Sequence, residues 1–202
     1  ALCGSQVGNW VGDQWYNCPV SQWALRVKYN VQPDLYAQIG AYEYNPENLQ
    51  RAKGFNLSTD GSRGAIIPIE LVWSPKLGQH SLSGEYRFGY YYSTADAVDI
   101  SNPTKTSHKQ GGWFTAKQQL IRQDTDSDRG LSGFINVTVH DSKNNAIKDM
   151  QNVGLIYKGL FEQRPQDELA LGVARIHAND ENNPLLDEEY NTELYYGIHA
   201  TD

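Results

Sequence analysis

The sequence has no long hydrophobic run, and its most apolar stretches are only a few residues, such as Ala65-Ile66-Ile67. That excludes a transmembrane helix, which needs about 20 consecutive apolar residues. Positive charge is also short: 17 lysines and arginines stand against 24 acidic residues, a formal net charge of −7. Phosphate binding needs clustered positive charge, so nucleic acid is excluded as a partner. Methionine occurs once and cysteine twice, at Cys3 and Cys18. Neither a signal peptide nor an initiator methionine is present, so the N-terminus is expected to be processed or cut. Hydrophobic residues make up 39% of the chain and the mean hydropathy is −0.62. Such values suit a soluble protein but do not exclude a membrane barrel, which faces lipid with every second residue only.

What the chain does have is 13 tyrosines, 5 tryptophans and 18 glycines. Aromatics and glycine in excess suit extended β structure with aromatic girdles, and would suit a lectin-like sandwich equally. The two cysteines fit an oxidising compartment and one Cys3–Cys18 disulfide, since they flank a single turn-rich segment. Closing such a loop contributes about 3 kcal/mol in the chain-entropy model. Two unpaired thiols, or a partner cysteine upstream, are the alternatives.

Alternation is the informative signal. From Ser21 to Asn30, Trp23, Leu25, Val27 and Tyr29 share one face, while Arg26 and Lys28 lie on the other. That is the period of a strand. The same phase predicts strands over Leu35–Tyr44, Gly64–Ser74, Leu82–Ser93, Gly112–Arg122, Gly130–His140, Met150–Lys158, Glu168–Ala178 and Tyr190–Ala200. Within Glu168–Ala178 the phase slips near Arg175, which predicts a bulge there. The shared phase puts Leu25, Val27, Ile69, Leu71, Phe88, Tyr90, Ile135 and Val137 outward, with Arg26, Glu70, Arg87 and Asn136 inward. Nine strands result, with no convincing helical periodicity.

The connections choose between sandwich and barrel. Polar segments at Asn45–Arg63, Thr94–Gly111, Asp141–Asp149 and Asn179–Glu189 alternate with mostly shorter ones at Gln32–Asp34, Pro75–Ser81, Gln123–Arg129 and Gly159–Asp167. Long loops at one end and short turns at the other mark an antiparallel up-and-down transmembrane β-barrel, with the long loops outside the cell. Trp23, Tyr44, Trp73 and Trp113 lie near strand ends, where interfacial belts place amphipathic rings. An odd strand count leaves an open edge whose backbone groups hydrocarbon cannot satisfy, so the 202 residues are expected to be part of one larger barrel.

Specific strings then become recognisable. Pro19–Tyr29, Gln38–Pro46, Pro68–Pro75, Gly84–Tyr91, Asn136–Asp141 and Tyr190–Gly197 follow in the order and spacing of the carbohydrate-selective porins of the porin B (OprB) type, which the whole chain resembles. The resemblance implies a barrel of roughly sixteen strands, of which residues 1–202 form about nine in a single porin domain incomplete at both ends. It also implies an outer-membrane location, lipid and sugar as partners, a trimer or a monomer, and diffusion of sugars such as glucose into the periplasm. A soluble carbohydrate-binding β-domain without transport activity is the alternative.

The lumen candidates are Arg26, Lys28, Glu70, Glu85, Arg87, Lys117, Tyr91 and Glu193, with Lys158, His199, Tyr36 and Tyr42 beside them. Both signs of charge suit a neutral hydroxylated solute, whose hydroxyls can donate to carboxylates and accept from guanidinium groups. Inward tyrosines offer apolar ring faces to a sugar. Equally, these charges can pair with one another and stiffen the wall. Glu70 and Glu85 on adjacent strands formally satisfy a glycosidase pair, but such a pair needs a closed cleft and a raised-pKa acid. The five histidines show no metal-ligand spacing, and no Gly-X-Ser-X-Gly element occurs. No enzyme, metal or cofactor is therefore expected.

Overall fold

The computed structural model describes residues 14–16, 20–53, 57–123, 128–181 and 188–200. Cys3 and Cys18 lie outside the described residues, and with them the expected disulfide. Ten strands occur among the described residues: β1 (Ala24–Gln32), β2 (Leu35–Tyr44), β3 (Gly64–Trp73), β4 (Lys76–Leu77), β5 (Leu82–Val98), β6 (Thr106–Arg122), β7 (Gly130–His140), β8 (Ile147–Lys158), β9 (Glu168–Ala178) and β10 (Glu188–Gly197). Every pairing is antiparallel between sequence neighbours, in the order β1-β2-β3-β5-β6-β7-β8-β9-β10, with the two-residue β4 paired to β5. Among the described residues, β1 and β10 each pair on one side only. Two single-turn 3-10 helices, Pro46–Leu49 and Arg51–Lys53, follow β2. Asn45 caps the first, its side-chain oxygen accepting from Glu47 N at 3.1 Å.

The register explains the two faces. Val27, Ile39, Ile69 and Tyr90 lie in one row, and Leu71, Phe88, Phe114 and Val137 in another. Leu25, Val27, Ile69, Leu71, Phe88, Tyr90 and Ile135 are between 42% and 69% exposed. An apolar face this open is the pattern of a sheet that meets hydrocarbon rather than a core. Residues of the opposite parity form the polar rows, such as Arg87, Thr115, Asn136 and Asn152. Two cavities open on this side, so the polar face is the concave one.

The inward face also carries aromatics seated on glycine. A Cβ on Gly89 would fall inside the indole of Trp113 on the next strand. Phe134 lies over Gly154 in the same way, and Tyr91 over Gly111. Laying large rings flat on a glycine of the adjacent strand keeps them close to the wall and fills the concave side of a strongly bent sheet.

Several expectations need correction. The polar stretch Thr94–Gly111 is mostly strand: β5 continues to Val98 and β6 begins at Thr106, leaving a seven-residue tip, 99–105. Alternation survives there with small inward residues, Ser93, Ala95 and Ala97, all buried. The bulge expected near Arg175 is absent, since β9 keeps continuous register with β10 from Glu168 to His177. The irregularity lies on β8, between Ile147 and Asp149. Arg175 and His177 stay on the outward face, where Asp149 and Glu188 pair with them, so the apparent phase slip marks the end of the apolar band. A second irregularity lies between Gln119 and Ile121 on β6. The last strand is Glu188–Gly197, which leaves His199 beyond it.

Candidate functional site

The first cavity, of about 530 Å³, spans six adjacent strands at mid-height. Arg26 comes from β1, Gln38 from β2, Glu70 from β3, Arg87 from β5, Trp113 from β6 and Asn136 from β7, with Trp15 across the face from them. The Trp15 ring sits 4.3 Å from that of Tyr42, which anchors the 14–16 segment against β2.

Glu70 organises this cavity. Its Oε1 accepts from Gln38 Nε2 at 2.7 Å and from Arg87 Nη1 at 3.3 Å, while Oε2 accepts from Trp113 Nε1 at 2.9 Å. The side chain is only 11% exposed. A carboxylate this far from water needs such donors, because an unsatisfied buried charge costs far more than a hydrogen bond returns. Trp113 can reach β3 only because Gly89 on the intervening strand has no side chain. Arg87 also donates from Nε to Glu85 Oε1 at 2.9 Å, so one guanidinium clamps two carboxylates. Its Nη2 has no hydrogen bond among the described residues, and Arg87 is one of the residues that line the cavity.

The second cavity, of about 510 Å³, lies nearer the end of the sheet where β1 leads into β2, β3 into β5, β6 into β7 and β8 into β9. It brings together Glu85, Lys117 and Lys158 with Lys76, Arg122 and Asp128. Lys158 Nζ bonds Asp128 at 2.6 Å and holds that carboxyl below its ordinary range. Arg122 is engaged by the carbonyls of His80 and Ser81.

The remaining candidates lie apart. Lys28 Nζ sits 3.6 Å above the Tyr36 ring, a cation–π contact that ties β1 to β2. Glu193 stands on the edge strand β10 opposite Gly172, away from both cavities. Tyr91, expected to offer its ring to a solute, is 1% exposed and bonded through its hydroxyl to His140 Nδ1 at 2.8 Å. It is wall packing. His199, past the last strand, donates its backbone N–H to Asp167.

The girdle assignment misplaced Tyr44, which shares the inward parity of Gln38 and Tyr42, and also Trp113. The stripe of Phe114 and Ala116 already puts it on the inward parity, but its position near the predicted strand start suggested an interfacial belt. With β6 beginning at Thr106, Trp113 is well inside the strand. The outward aromatics near the turn end are instead Trp73, whose Nε1 donates to Asp34 at 3.1 Å, and Tyr86, 5.5 Å from it. Gln38, Thr115 and Asn136 were likewise legible by parity alone.

A polar concave wall behind an apolar convex one is an arrangement with counterparts among known proteins. Residues 1–202 match the family described as carbohydrate-selective porin, OprB family. Porin B of Pseudomonas aeruginosa is 49% identical over all of this chain, which covers 52% of that protein. The high-pH structure of Pseudomonas putida OprB superposes with a TM-score of 0.89 at 49% identity, over 98% of this chain and 55% of that one. The low-pH structure of the same protein gives 0.65 at 43% identity, over 94% and 48%. The chain thus spans about half the length of the relatives it matches. With the sheet, its two faces and these matches in hand, the chain belongs to the carbohydrate-selective porin, OprB family, a family of bacterial outer-membrane pores and not of enzymes.

Proposed function

We propose that residues 1–202 form part of one barrel domain whose lumen passes sugars such as glucose by diffusion, with the convex face against outer-membrane lipid. The observation that carries this is the mid-height cavity, where ring faces and hydrogen-bonding groups of both signs converge on one water-accessible wall. A sugar leaving bulk water needs acceptors and donors for its hydroxyls and an apolar surface for its ring. Arg87, Arg26, Gln38, Thr115 and Asn136 offer the first, and Trp113 and Trp15 the second. Charges of both signs along the wall favour a neutral solute over a cation. A soluble sugar-binding sheet would leave the exposed row of Leu25, Val27, Ile69 and Phe88 without a partner.

The test is planar-bilayer conductance of the full-length protein with glucose titrated in. Glucose should reduce ion current in a saturable way and raise the current noise as it enters and leaves. Conductance that glucose leaves unchanged at every concentration would end the sugar-diffusion proposal.

A further inference from the structure

The two cavities differ in which charges are already engaged. At mid-height, Glu70 and Arg87 satisfy one another and their neighbours. The turn-end cavity is lined by four cationic side chains, Lys76, Lys117, Arg122 and Lys158, against three carboxylates, Glu85, Asp128 and Glu168. Two of the carboxylates have donors: Glu85 takes Arg87 Nε and Asp128 takes Lys158 Nζ. Arg122 is held by two backbone carbonyls and by Gln119. That leaves Lys117 and Lys76. Both are exposed, and neither has a hydrogen bond or an ion pair among the described residues.

Their placement is specific. Lys117 is the register partner of Glu85 on β5, and Lys76 that of Ser83, two residues away on the same strand and the same face. The two lysines therefore flank β5 from opposite sides, about 12 Å apart across two strand spacings and a two-residue stagger. Ammonium groups on flexible four-carbon stems can converge from that distance on one small solute. Ser83, Ser132 and Gln119 line the same hollow and supply hydroxyl and amide groups. We propose that this turn-end cavity is a second solute station, selective for hydroxylated monocarboxylates of the sugar-acid class. The carboxylate sits between Lys117 and Lys76, and the hydroxyls bond to Ser83, Ser132 and Gln119. A phosphate dianion fits less well, because Glu85, Asp128 and Glu168 share the hollow. This station rests on the reading of the chain as a pore wall, but not on glucose being a solute.

The experiment uses the full-length protein in planar bilayers, titrated separately with glucose and with potassium gluconate in place of potassium chloride at constant ionic strength. Wild type, Lys117→Gln and Lys76→Gln are compared, with resistance to unfolding in detergent reporting an intact barrel. At about 0.1 M salt, each variant should weaken gluconate block roughly two- to fivefold, as loss of an exposed ion pair does, and leave glucose block unchanged. Raising the salt to 1 M should abolish most of the gluconate effect, because the Debye length falls to about 3 Å. Gluconate block that ignores both substitutions, or glucose block that falls in parallel with it, overturns the proposal. Glucose block without any gluconate block overturns the station and leaves the sugar pore standing. Lysine-dependent gluconate block without glucose block supports the station and removes the sugar reading.

Discussion

Around Glu70, both carboxylate oxygens receive donors from three neighbouring strands, and the charge is shielded from water. Around Lys117, farther toward the turn end on the same face, the ammonium stands exposed with no bonded partner among the described residues. The first region is a braced wall, whose geometry is set by the sheet and whose polar groups are mostly satisfied. The second is a loosely charged vestibule whose side chains are free to reorganise around a solute. Bracing favours a fixed constriction, and free charge favours attraction and exchange.

The most damaging way to break the braced region is to fill the seat under Trp113. Gly89→Val should destabilise the protein by about 3 kcal/mol, because the indole must leave its position and Glu70 loses a donor. Urea unfolding midpoints in detergent measure this, and the double variant with Trp113→Ala should recover part of the loss. Trp113→Phe keeps the ring on Gly89 but removes the N–H. It should cost about 2 kcal/mol, within the range for a buried acceptor left short of a donor.

Arg87→Ala tests the link between the two regions, since Arg87 touches both Glu70 and Glu85. It should raise the half-blocking glucose concentration about fivefold, equivalent to ~1 kcal/mol of a lost hydrogen bond. Ion preference should move toward cations, as two carboxylates lose their shared counter-charge. Glu85→Ala should shift reversal potential the opposite way and by less, because its side chain is 48% exposed and better screened. Glucose affinity unchanged from wild type in both variants would remove this wall from the sugar path.

The smallest effect concerns the turn end. Asp167 accepts from the Tyr196 hydroxyl at 2.6 Å, from His199 N at 2.9 Å and from Arg164 Nε at 2.8 Å. The Tyr196 bond above all pulls its carboxyl from 3.8 to about 2. A depressed carboxylate contributes stability that is fully present above the ordinary value and is lost as pH falls through the lowered one. Melting temperature should therefore decline slightly between about pH 4 and pH 2, and Asp167→Asn should flatten that decline.

Much of the fold was legible because a two-residue period needs no partner to be seen. Leu25 through Val27 and Ile69 through Leu71 declare their face within one strand. The tall β5–β6 hairpin was less legible, since Ser93, Ala95 and Ala97 face inward with side chains too small to register as a stripe. Arg175 misled because a charged pair on the outer rim inverts the usual polarity of the two faces. For the candidate site, parity gave the inward side chains, but convergence depends on inter-strand register. Nothing in the local sequence says that Glu70 meets Trp113 two strands away, or that Tyr91 is sealed against His140.

The β5–β6 hairpin carries a further consequence. Its last residues pair beyond the neighbouring strands, through Asp96–His108, Ala97–Ser107 and Val98–Thr106. Its tip is tied down by Ile100 N to Lys143 O at 2.7 Å and by Asn144 to Ser107 at 2.8 Å. An unstructured loop of the same length would wander across the mouth on nanosecond to microsecond timescales. A laddered, tethered ribbon does not, so this segment should act as a fixed chimney rather than a shutter. In a recording, that means a steady baseline between solute events, with little spontaneous flicker arising from this side of the mouth.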